Sequence, residues 1–491
     1  MLLGLGIVAG LSLVVSTLYC SGFVISWDRY LSPPEAGMMA DVARLQPRKI
    51  LRVEPVRKVE QLRAVLAEAR EGGLKVSIAG SQHSQGGHTY YDDAIVLQMH
   101  AFNEILDIDP DKLQMTVGSG CTWDQLQRAL APKGLAMLVM QSSNIFTVGG
   151  TLSANAHGRD IRVMDVIEVV DSFRLMLASG EIRNVSRDEY PELFSLVIGG
   201  YGMYGVILDV TLNIHVDELY EQRATLMDYT EFPAYFAENI QDNANVELLL
   251  ARPSIDPSPK SFLREIAVVT WEHTEGDPPP YPLTEEKNIT RDKFFFGASR
   301  SLDVMKRFRW YAQKRVELGT TSKRILSRNN AMRPPVAPLA LLDYYSVTDT
   351  EIIQEYYVPT GHFVGFMDAM RDILTEYDFN VMSSTVRYVK ANDEAALSYA
   401  PDQDVFAIIQ VSNVQLSEEG QRQAELATQA MVDAALALDG TYYLTYQLYP
   451  TPSQLHRAYP RAAWAFERKR HYDPDELFMS LFYERYGHTQ N

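Results

Sequence analysis

GSQHSQGGH, at residues 80–88, places a histidine in a turn made almost only of glycine, serine and glutamine. The run before it, LKVSIA, and the run after it, AIVLQM, are typical of short strands. Glycine permits positive φ angles, so a turn of this kind can direct several backbone N–H groups towards an anion. The stretch therefore predicts an anion-binding loop between two strands.

Two further glycine loops follow in the same part of the chain, VGSGCTW at residues 117–123 and TVGGTLSANAHG at residues 147–158. GYGMYG, at residues 200–205, matches the GxGxxG pattern of Rossmann nucleotide sites, which requires that a helix follow the glycines. The residues that follow, VILDVTLNIHV, alternate with a period of two and predict a strand. We therefore expect several separate loops to wrap a dinucleotide without a Rossmann turn, although each loop alone is also typical of an ordinary tight turn.

The net charge of −18 argues against a nucleic-acid partner, because such proteins need clustered Lys and Arg. The segment KRFRW, which begins at Lys306, is interpreted as a solvated helix face with an apolar side. Cys20 and Cys121 form neither a disulfide framework nor a zinc-ligand spacing, so no metal site is expected.

Residues 1–27 contain no charged side chain, and about 20 apolar residues suffice to cross a bilayer as a helix. We interpret this segment as a single-pass transmembrane anchor, with a cleaved signal peptide as the competing reading. The nearby positive charges all follow the span, which favours a cytoplasmic catalytic body.

The sequence after the apolar N-terminal segment predicts an α+β fold. VEQLRAVLAEAREGG and TWDQLQRALAPKG have helical spacing, the second with Thr122 as its N-cap. Near residue 216 glycines become rarer and long helical candidates appear, RSLDVMKRFRWYAQKRVEL and GHFVGFMDAMRDIL. We place a first domain at residues 45–215, a second at residues 216–440, and a returning C-terminal segment at residues 441–491.

The order GSQHS, VGSGCTW, TVGGTLSANAHGRD, LASGEI and IGGYGMYGVILDVTL resembles the FAD-binding domain of the vanillyl-alcohol oxidase and p-cresol methylhydroxylase (PCMH-type) family. Within it, TVGG…HG resembles decaprenylphosphoryl-ribose oxidases and GSQHS resembles the GSGHS of alditol and aldonolactone oxidases. The resemblance implies a two-part FAD-binding domain that encloses an inserted α+β substrate (cap) domain.

The resemblance also implies which residues bind FAD. It puts the pyrophosphate against the first loop, the turn at residues 147–150 and its sequel along the flavin, Ile207 near the adenine, and a C-terminal tyrosine at the ring. The implied FAD residues are Ala79, Gly80, Ser81, Gln82, His83, Ser84, Gly118, Thr147, Val148, Gly149, Gly150, Ala154, Asn155, His157, Ile207 and Tyr443.

His83 occupies the position at which relatives with GSGHS attach FAD covalently. Gln82 replaces the glycine of that motif, and His88 is a second candidate whose spacing does not match. The resemblance leaves two alternatives, covalent FAD on His83 or a dissociable FAD beside a hydrogen-bonding histidine.

Three residues are candidates for catalysis. SSTVRYVK, at residues 383–390, resembles the arginine-bearing strand of alditol oxidases, which implies that Arg387 orients the substrate oxygen. The alternative for Arg387 is an ordinary arginine on a surface strand. Glu355 shares a strand face with Tyr357 and is a candidate base, and its alternative is an ordinary carboxylate on an edge strand. Tyr446 aligns with a lysine of decaprenylphosphoryl-ribose oxidases, and Thr385 with a glutamate of alditol oxidases, so neither family's substrate transfers directly.

We therefore expect an FAD-dependent oxidoreductase that takes hydride from a hydroxyl-bearing carbon of a sugar, polyol or lipid-linked sugar. The electron acceptor stays open among oxygen, a quinone and a carrier protein. The alternatives are a flavin-dependent reductase or amine dehydrogenase on the same fold, and a non-catalytic membrane-anchored scaffold.

Overall fold

The computed structural model describes residue 16 and residues 37–488, apart from residues 164, 278, 288, 319–323 and 334–345. Its strands form four sheets with helices packed between and around them, so the predicted mixed architecture of helices and strands is confirmed. The strands are β1 (Met38–Met39), β2 (Arg48–Lys49), β3 (Arg52–Pro55), β4 (Val76–Ala79), β5 (Ile95–Gln98), β6 (Ile105–Asp109), β7 (Gln114–Gly118), β8 (Leu135–Met137), β9 (Val170–Met176), β10 (Ile182–Ser186), β11 (Val206–Val216), β12 (Leu219–Asp228), β13 (Val246–Pro253), β14 (Glu265–His273), β15 (Arg324–Ser327), β16 (Asp349–Pro359), β17 (Asn380–Val389), β18 (Val405–Gln415) and β19 (Thr441–Tyr442).

The three longest α-helices of the described residues lie in the second half of the chain. The α-helices are α1 (Val59–Glu71), α2 (Trp123–Leu130), α3 (Val148–Ser153), α4 (Val166–Val169), α5 (Pro191–Val197), α6 (Phe232–Phe236), α7 (Ile289–Ala298), α8 (Asp303–Leu318), α9 (Arg328–Met332), α10 (Phe363–Glu376), α11 (Glu418–Leu436), α12 (Pro452–Ala458), α13 (Ala462–Tyr472) and α14 (Leu481–Tyr486).

The first glycine loop begins at the end of a small parallel sheet. In this sheet β5 lies between β3 and β4, and α1 connects β3 to β4. Leu62, Leu66 and Ala69 recur at helical spacing and are fully buried against the strands, as the sequence predicts. The helix ends before two glycines, and Gly73 adopts the left-handed conformation that favours glycine.

A six-stranded antiparallel sheet carries the second loop. Its order is β10-β9-β11-β7-β6, with β8 also paired to β11. The predicted strand after GYGMYG is therefore confirmed as β11, and α2 begins at the predicted N-cap Thr122, which forms a capping box with Gln125.

An eight-stranded antiparallel sheet forms most of the second half. Its order is β15-β12-β14-β13-β17-β18-β16-β19. The buried face of α10, which includes Phe363, Phe366 and Met370, belongs to the same hydrophobic core as β16 and β18. This sheet begins at Leu219 and ends at Tyr442, and the domain bounds predicted from the sequence stay predictions.

The C-terminal segment lies against the first sheet. Val76 of β4 donates its N–H to the Leu477 carbonyl at 2.8 Å and accepts from the Met479 N–H at 2.9 Å. The Gln85 N–H, in the first glycine loop, donates to the Thr445 carbonyl at 2.9 Å. The segments that contain Thr445, Leu477 and Met479 thus contact the small parallel sheet and the loop that follows it.

Two local predictions are wrong. Residues 147–150 are not a plain turn, because Thr147 caps α3 by accepting the Gly150 N–H at 3.4 Å. Lys306 is not solvated, because α8 turns it inwards and its ammonium donates to Asn380 Oδ1 at 2.6 Å.

The predicted membrane anchor at residues 1–27 lies outside the described residues, apart from residue 16. In the part of the chain that the structure describes, no helix has the length and apolar character needed to cross a membrane.

Candidate active site

The three predicted glycine loops meet edge to edge. A Cβ on Gly80 would lie 2.1 Å from Thr147 Oγ1, so only glycine lets the first loop approach the third this closely. The Gly149 N–H donates to the Ser119 carbonyl at 2.8 Å, which ties the third loop to the second. A Cβ on Gly118 would lie 2.3 Å from the Phe102 carbonyl oxygen. The loops therefore form one continuous backbone cradle.

Polar atoms in this cradle lack partners, although buried polar groups are normally hydrogen-bonded. Ser119 Oγ and both ring nitrogens of His83 are buried and have no hydrogen-bond partner among the described residues. Close-approaching glycines and unpaired buried polar atoms are the features that a bound dinucleotide requires of its loops. The residues present thus fit FAD.

The other predicted FAD residues surround this cradle. Ser81 Oγ donates to the Ile145 carbonyl at 2.9 Å. Gln82, between Ser81 and His83, adopts a positive φ of 57°. Ile207 is buried in β11 opposite Leu175. Three further predicted FAD residues lie nearby. Ala79 is the buried last residue of β4, Ser84 is half-buried, and Val148 donates its N–H to the Cys121 carbonyl at 2.8 Å.

The two histidines of the first loop differ in their surroundings. His83 packs on Phe146 with ring centroids 4.3 Å apart, and burial lowers its pKa to about 4, which keeps the imidazole neutral. His88 Nε2 lies 2.9 Å from the Leu444 carbonyl oxygen, and its ring stacks on Phe482. Among the described residues, both ring nitrogens of His83 but only Nδ1 of His88 are buried without a partner at hydrogen-bond geometry.

A buried acid–imidazole pair lies at the end of the third loop. His157 Nε2 is 2.6 Å from Glu355 Oε1, and each side chain is only 3% exposed. His157 Nδ1 is buried without a partner among the described residues. The third loop thus supplies His157, and strand β16 of the large sheet supplies Glu355, to one hydrogen bond.

Two C-terminal tyrosines complete this cluster. Tyr446 donates its hydroxyl to Glu355 Oε2 at 3.4 Å, and burial together with that carboxylate raises the pKa of Tyr446 well above its ordinary value. Tyr443 donates its hydroxyl to the Ala154 carbonyl at 2.9 Å and its N–H to the Glu355 carbonyl at 2.9 Å. The predicted candidates Glu355, Tyr446, Tyr443 and His157 therefore lie together.

Arg387 reaches the same cluster from β17. Its Nη1 donates to the His157 carbonyl at 3.2 Å, its Nη2 donates to Ser142 Oγ, and its Nε is buried without a partner in the described part of the chain. The alternative of a surface position is wrong for Arg387, which is 8% exposed. Glu355 is 4% exposed and lies on β16, which has only the two-residue β19 beyond it in the sheet, so its alternative of an edge-strand carboxylate stays open.

Sequence reasoning missed Asp165 and Tyr399. Tyr399 donates its hydroxyl to Asp165 Oδ1 at 2.8 Å and to the Asn155 carbonyl at 3.0 Å, and Asp165 forms an isolated antiparallel bridge with His157. Burial raises the pKa of Asp165 to about 7. The two residues are 234 positions apart, and no spacing rule joins them, so only the fold reveals the contact.

Comparisons with known proteins bear on the first domain. Residues 51–186 match the family described as an FAD binding domain. The predicted FAD-binding domain, its resemblance to the PCMH-type family and FAD as the cofactor are thereby confirmed.

Three curated relatives show what the chain is similar to. It is 32% identical over 155 residues to decaprenylphosphoryl-beta-D-ribose oxidase of Mycolicibacterium smegmatis, covering 31% of this chain and 34% of that protein. It is 27% identical over 241 residues to the mitochondrial L-galactono-1,4-lactone dehydrogenase of Arabidopsis thaliana, covering 48% of this chain and 38% of that protein. It is 30% identical over 194 residues to L-gulonolactone oxidase of Bos taurus, covering 39% of this chain and 41% of that protein.

The chain therefore spans less than half the length of these relatives. Their names describe oxidases and dehydrogenases, in agreement with the predicted class of flavin-dependent oxidoreductase. The individual site residues stay predictions.

Proposed function

From the FAD-binding domain at residues 51–186, we propose that the protein oxidises a hydroxyl-bearing carbon of a sugar, polyol or lipid-linked sugar. The observation that carries this proposal is the buried pair of Glu355 and His157, held directly beside the third glycine loop. A buried carboxylate and imidazole in contact are suited to hold and move the proton that the substrate hydroxyl must lose.

Bound FAD supplies an acceptor for the hydride that leaves the substrate carbon. Glu355 accepts the hydroxyl proton at Oε2, the oxygen that Tyr446 contacts at 3.4 Å. His157 shares the opposite oxygen and fixes the orientation of the carboxylate. Arg387 binds the substrate oxygen through its unpaired Nε, and its positive charge stabilises the negative charge that develops there.

The names of the relatives support the substrate class. They include a ribose oxidase, a galactonolactone dehydrogenase and a gulonolactone oxidase, each named for a sugar or a sugar lactone. The matched segments centre on the FAD-binding domain, so the proposed substrate of this chain is argued from its own side chains Glu355, His157 and Arg387. Tyr446 and Thr385, which depart from the two related groups, indicate a distinct substrate within the class.

The proposal extends to a covalent bond between His83 and FAD. Its support is the uncommitted, neutral imidazole of His83, because a deprotonated ring nitrogen is the form that can act as a nucleophile. In His88, by contrast, Nε2 is hydrogen-bonded to the Leu444 carbonyl oxygen.

Acid precipitation followed by mass spectrometry tests the bond. We expect a yellow pellet and a peptide containing His83 whose mass is increased by that of FAD less two hydrogens, because the bond replaces the imidazole N–H and a C–H of the flavin methyl group while oxygen takes up the two electrons. His83→Ala should release its FAD into the supernatant. Free FAD from the wild-type protein, with the His83 peptide at its unmodified mass, would contradict the covalent bond.

We further propose that residues 1–27 anchor the protein in a membrane as a single helix, with the catalytic body on the cytoplasmic side. The support is the charge-free, apolar composition of this segment and the positive charges that follow it.

An anaerobic screen tests the proposed reaction. The purified protein is mixed with polyols, aldoses and aldonolactones, and the visible absorbance of its FAD is followed. We expect at least one compound of this class to bleach the flavin bands without any added acceptor. If amines bleach the flavin and no hydroxyl-bearing compound does, or if NADH alone does, the proposed reaction is wrong.

A further inference from the structure

Two buried guanidinium groups near the candidate site have no carboxylate partner. Arg159 and Arg387 are each 8% exposed, and neither forms an ion pair within the described residues. An uncompensated charge in a protein interior is costly, so buried arginines are normally paired. Both residues therefore have unused capacity to bind an anion.

The donors of Arg159 are mostly unused. Its Nη1 donates to the Ala331 carbonyl at 2.8 Å, and its Nε is buried without a hydrogen-bond partner. A guanidinium offers five N–H donors in a planar fork, whereas this one makes a single hydrogen bond among the described residues. Its carbon Cζ lies 5.3 Å from the centroid of the Trp271 ring, which orients the group without neutralising it.

Strand β13 holds Arg159 and Arg387 in one neighbourhood. The Leu249 N–H donates to the Arg159 carbonyl at 2.8 Å, and Ala251, two residues further along β13, pairs with Val386, which precedes Arg387 in β17. Burial, followed by the positive charges of Arg252 and Arg387, lowers the pKa of Arg159 to about 9.

Two carboxylates lie in this neighbourhood. Glu317 Oε1 lies 3.2 Å from Arg252 Nε, and Glu355 is bound by His157 and Tyr446. Glu317 Oε2 has no hydrogen-bond partner among the described residues, and its charge also acts on Arg159. Three guanidiniums thus share two carboxylates, which leaves a net positive charge.

We propose that Arg159, supported by the positive charge of Arg387, binds an oxyanion, a phosphate or carboxylate group, that the substrate carries. The planar fork of arginine matches the paired oxygens of both groups, and Arg159 lies two residues after His157 of the Glu355 cluster. This inference rests on the proposed function and narrows its substrate to an anionic sugar or polyol derivative.

Calorimetric titration of the FAD-loaded full chain with inorganic phosphate, and separately with acetate, tests the subsite. We expect one of the two to bind, and the tighter one identifies the substrate's anionic group. Arg159→Gln should weaken that binding by roughly 10- to 100-fold, the usual effect of losing a charge-assisted hydrogen bond. Arg159→Lys, which keeps the charge, should bind more tightly than Arg159→Gln.

Arg223→Gln is the matched control, because Arg223 is an exposed arginine paired with Glu272, and it should bind as the wild type does. If Arg159→Gln does not fold, Arg387→Gln is titrated in the same way. The proposal is overturned if neither anion binds the wild-type protein, if Arg159→Gln binds equally well, or if that variant folds but loses FAD. Since the titration requires no turnover, these outcomes are independent of whether a hydroxyl-bearing compound reduces the flavin.

Discussion

At the scale of single residues, the candidate site depends on groups that face each other only after folding. Glu355 and His157 are 198 positions apart in the chain, yet their side chains meet at 2.6 Å. The sequence predicts both as candidates, one from its strand face and one from its glycine-flanked turn. Their pairing follows from the approach of β16 to the segment after α3, which no local pattern encodes.

Asp165 forms an isolated bridge with His157, and its titration can be tested without substrate turnover. Its pKa rises from 3.8 to about 7 on folding because the carboxyl group is buried. The folded protein therefore holds the proton more tightly than the unfolded chain. The stability contributed by the protonated carboxyl is fully present below about pH 4 and is lost as the pH rises through about 7.

Asp165→Asn removes this titration. From about pH 4 to pH 8, the free energy of unfolding of the variant should rise relative to that of the wild type, by roughly 4 kcal/mol at most. Denaturant unfolding across this pH range measures the difference, and Asp171→Asn, at an exposed carboxylate of β9, is the control. Parallel pH profiles for Asp165→Asn and wild type would show that Asp165 does not titrate in this way.

At the scale of elements, the three glycine loops form a cradle because their backbones approach more closely than side chains allow. The loops and the strands around them follow from the sequence, since glycine turns and alternating residues are local signals. The short helix α3 is not predicted, because a six-residue helix of VGGTLS has little helical pattern of its own and depends on the Thr147 cap.

Gly80→Ala tests the cradle. The added Cβ would collide with Thr147 Oγ1, and overpacking of this kind typically costs about 1–3 kcal/mol. We expect a lower melting temperature and less FAD per protein molecule, measured from the visible and ultraviolet absorbance of the purified variant.

Gly361→Ala serves as the control, since its Cβ would meet no atom within 4 Å. It should keep both the melting temperature and the FAD content of the wild type. If Gly80→Ala behaves as this control does, the first and third loops do not require their close approach.

At the scale of the whole molecule, the first and last parts of the chain enclose the FAD cradle, and the eight-stranded sheet supplies Glu355 and Arg387. The sequence predicts this division from the change in composition near residue 216. It does not predict that the charge of Arg387 in the large sheet acts on Arg159 of the first part, because β13 brings the two segments into one neighbourhood.

Deletion of residues 1–27 tests the proposal that this segment anchors the protein in a membrane. All three glycine loops lie after residue 79, so the truncated protein should leave the membrane fraction and keep its FAD. Fractionation and the visible spectrum measure the two properties. A truncated protein that is insoluble and free of FAD would mean that the segment belongs to the fold.

The central claim is that Glu355 takes the proton from a hydroxyl group whose carbon gives up hydride. The most direct measurement is the anaerobic rate of FAD bleaching by the best donor of the screen, compared between the wild type and Glu355→Gln. Because a positioned base typically contributes 10²- to 10⁴-fold, we predict that the variant keeps its FAD and is reduced about 100-fold more slowly or worse. Reduction of Glu355→Gln at the wild-type rate would contradict the account.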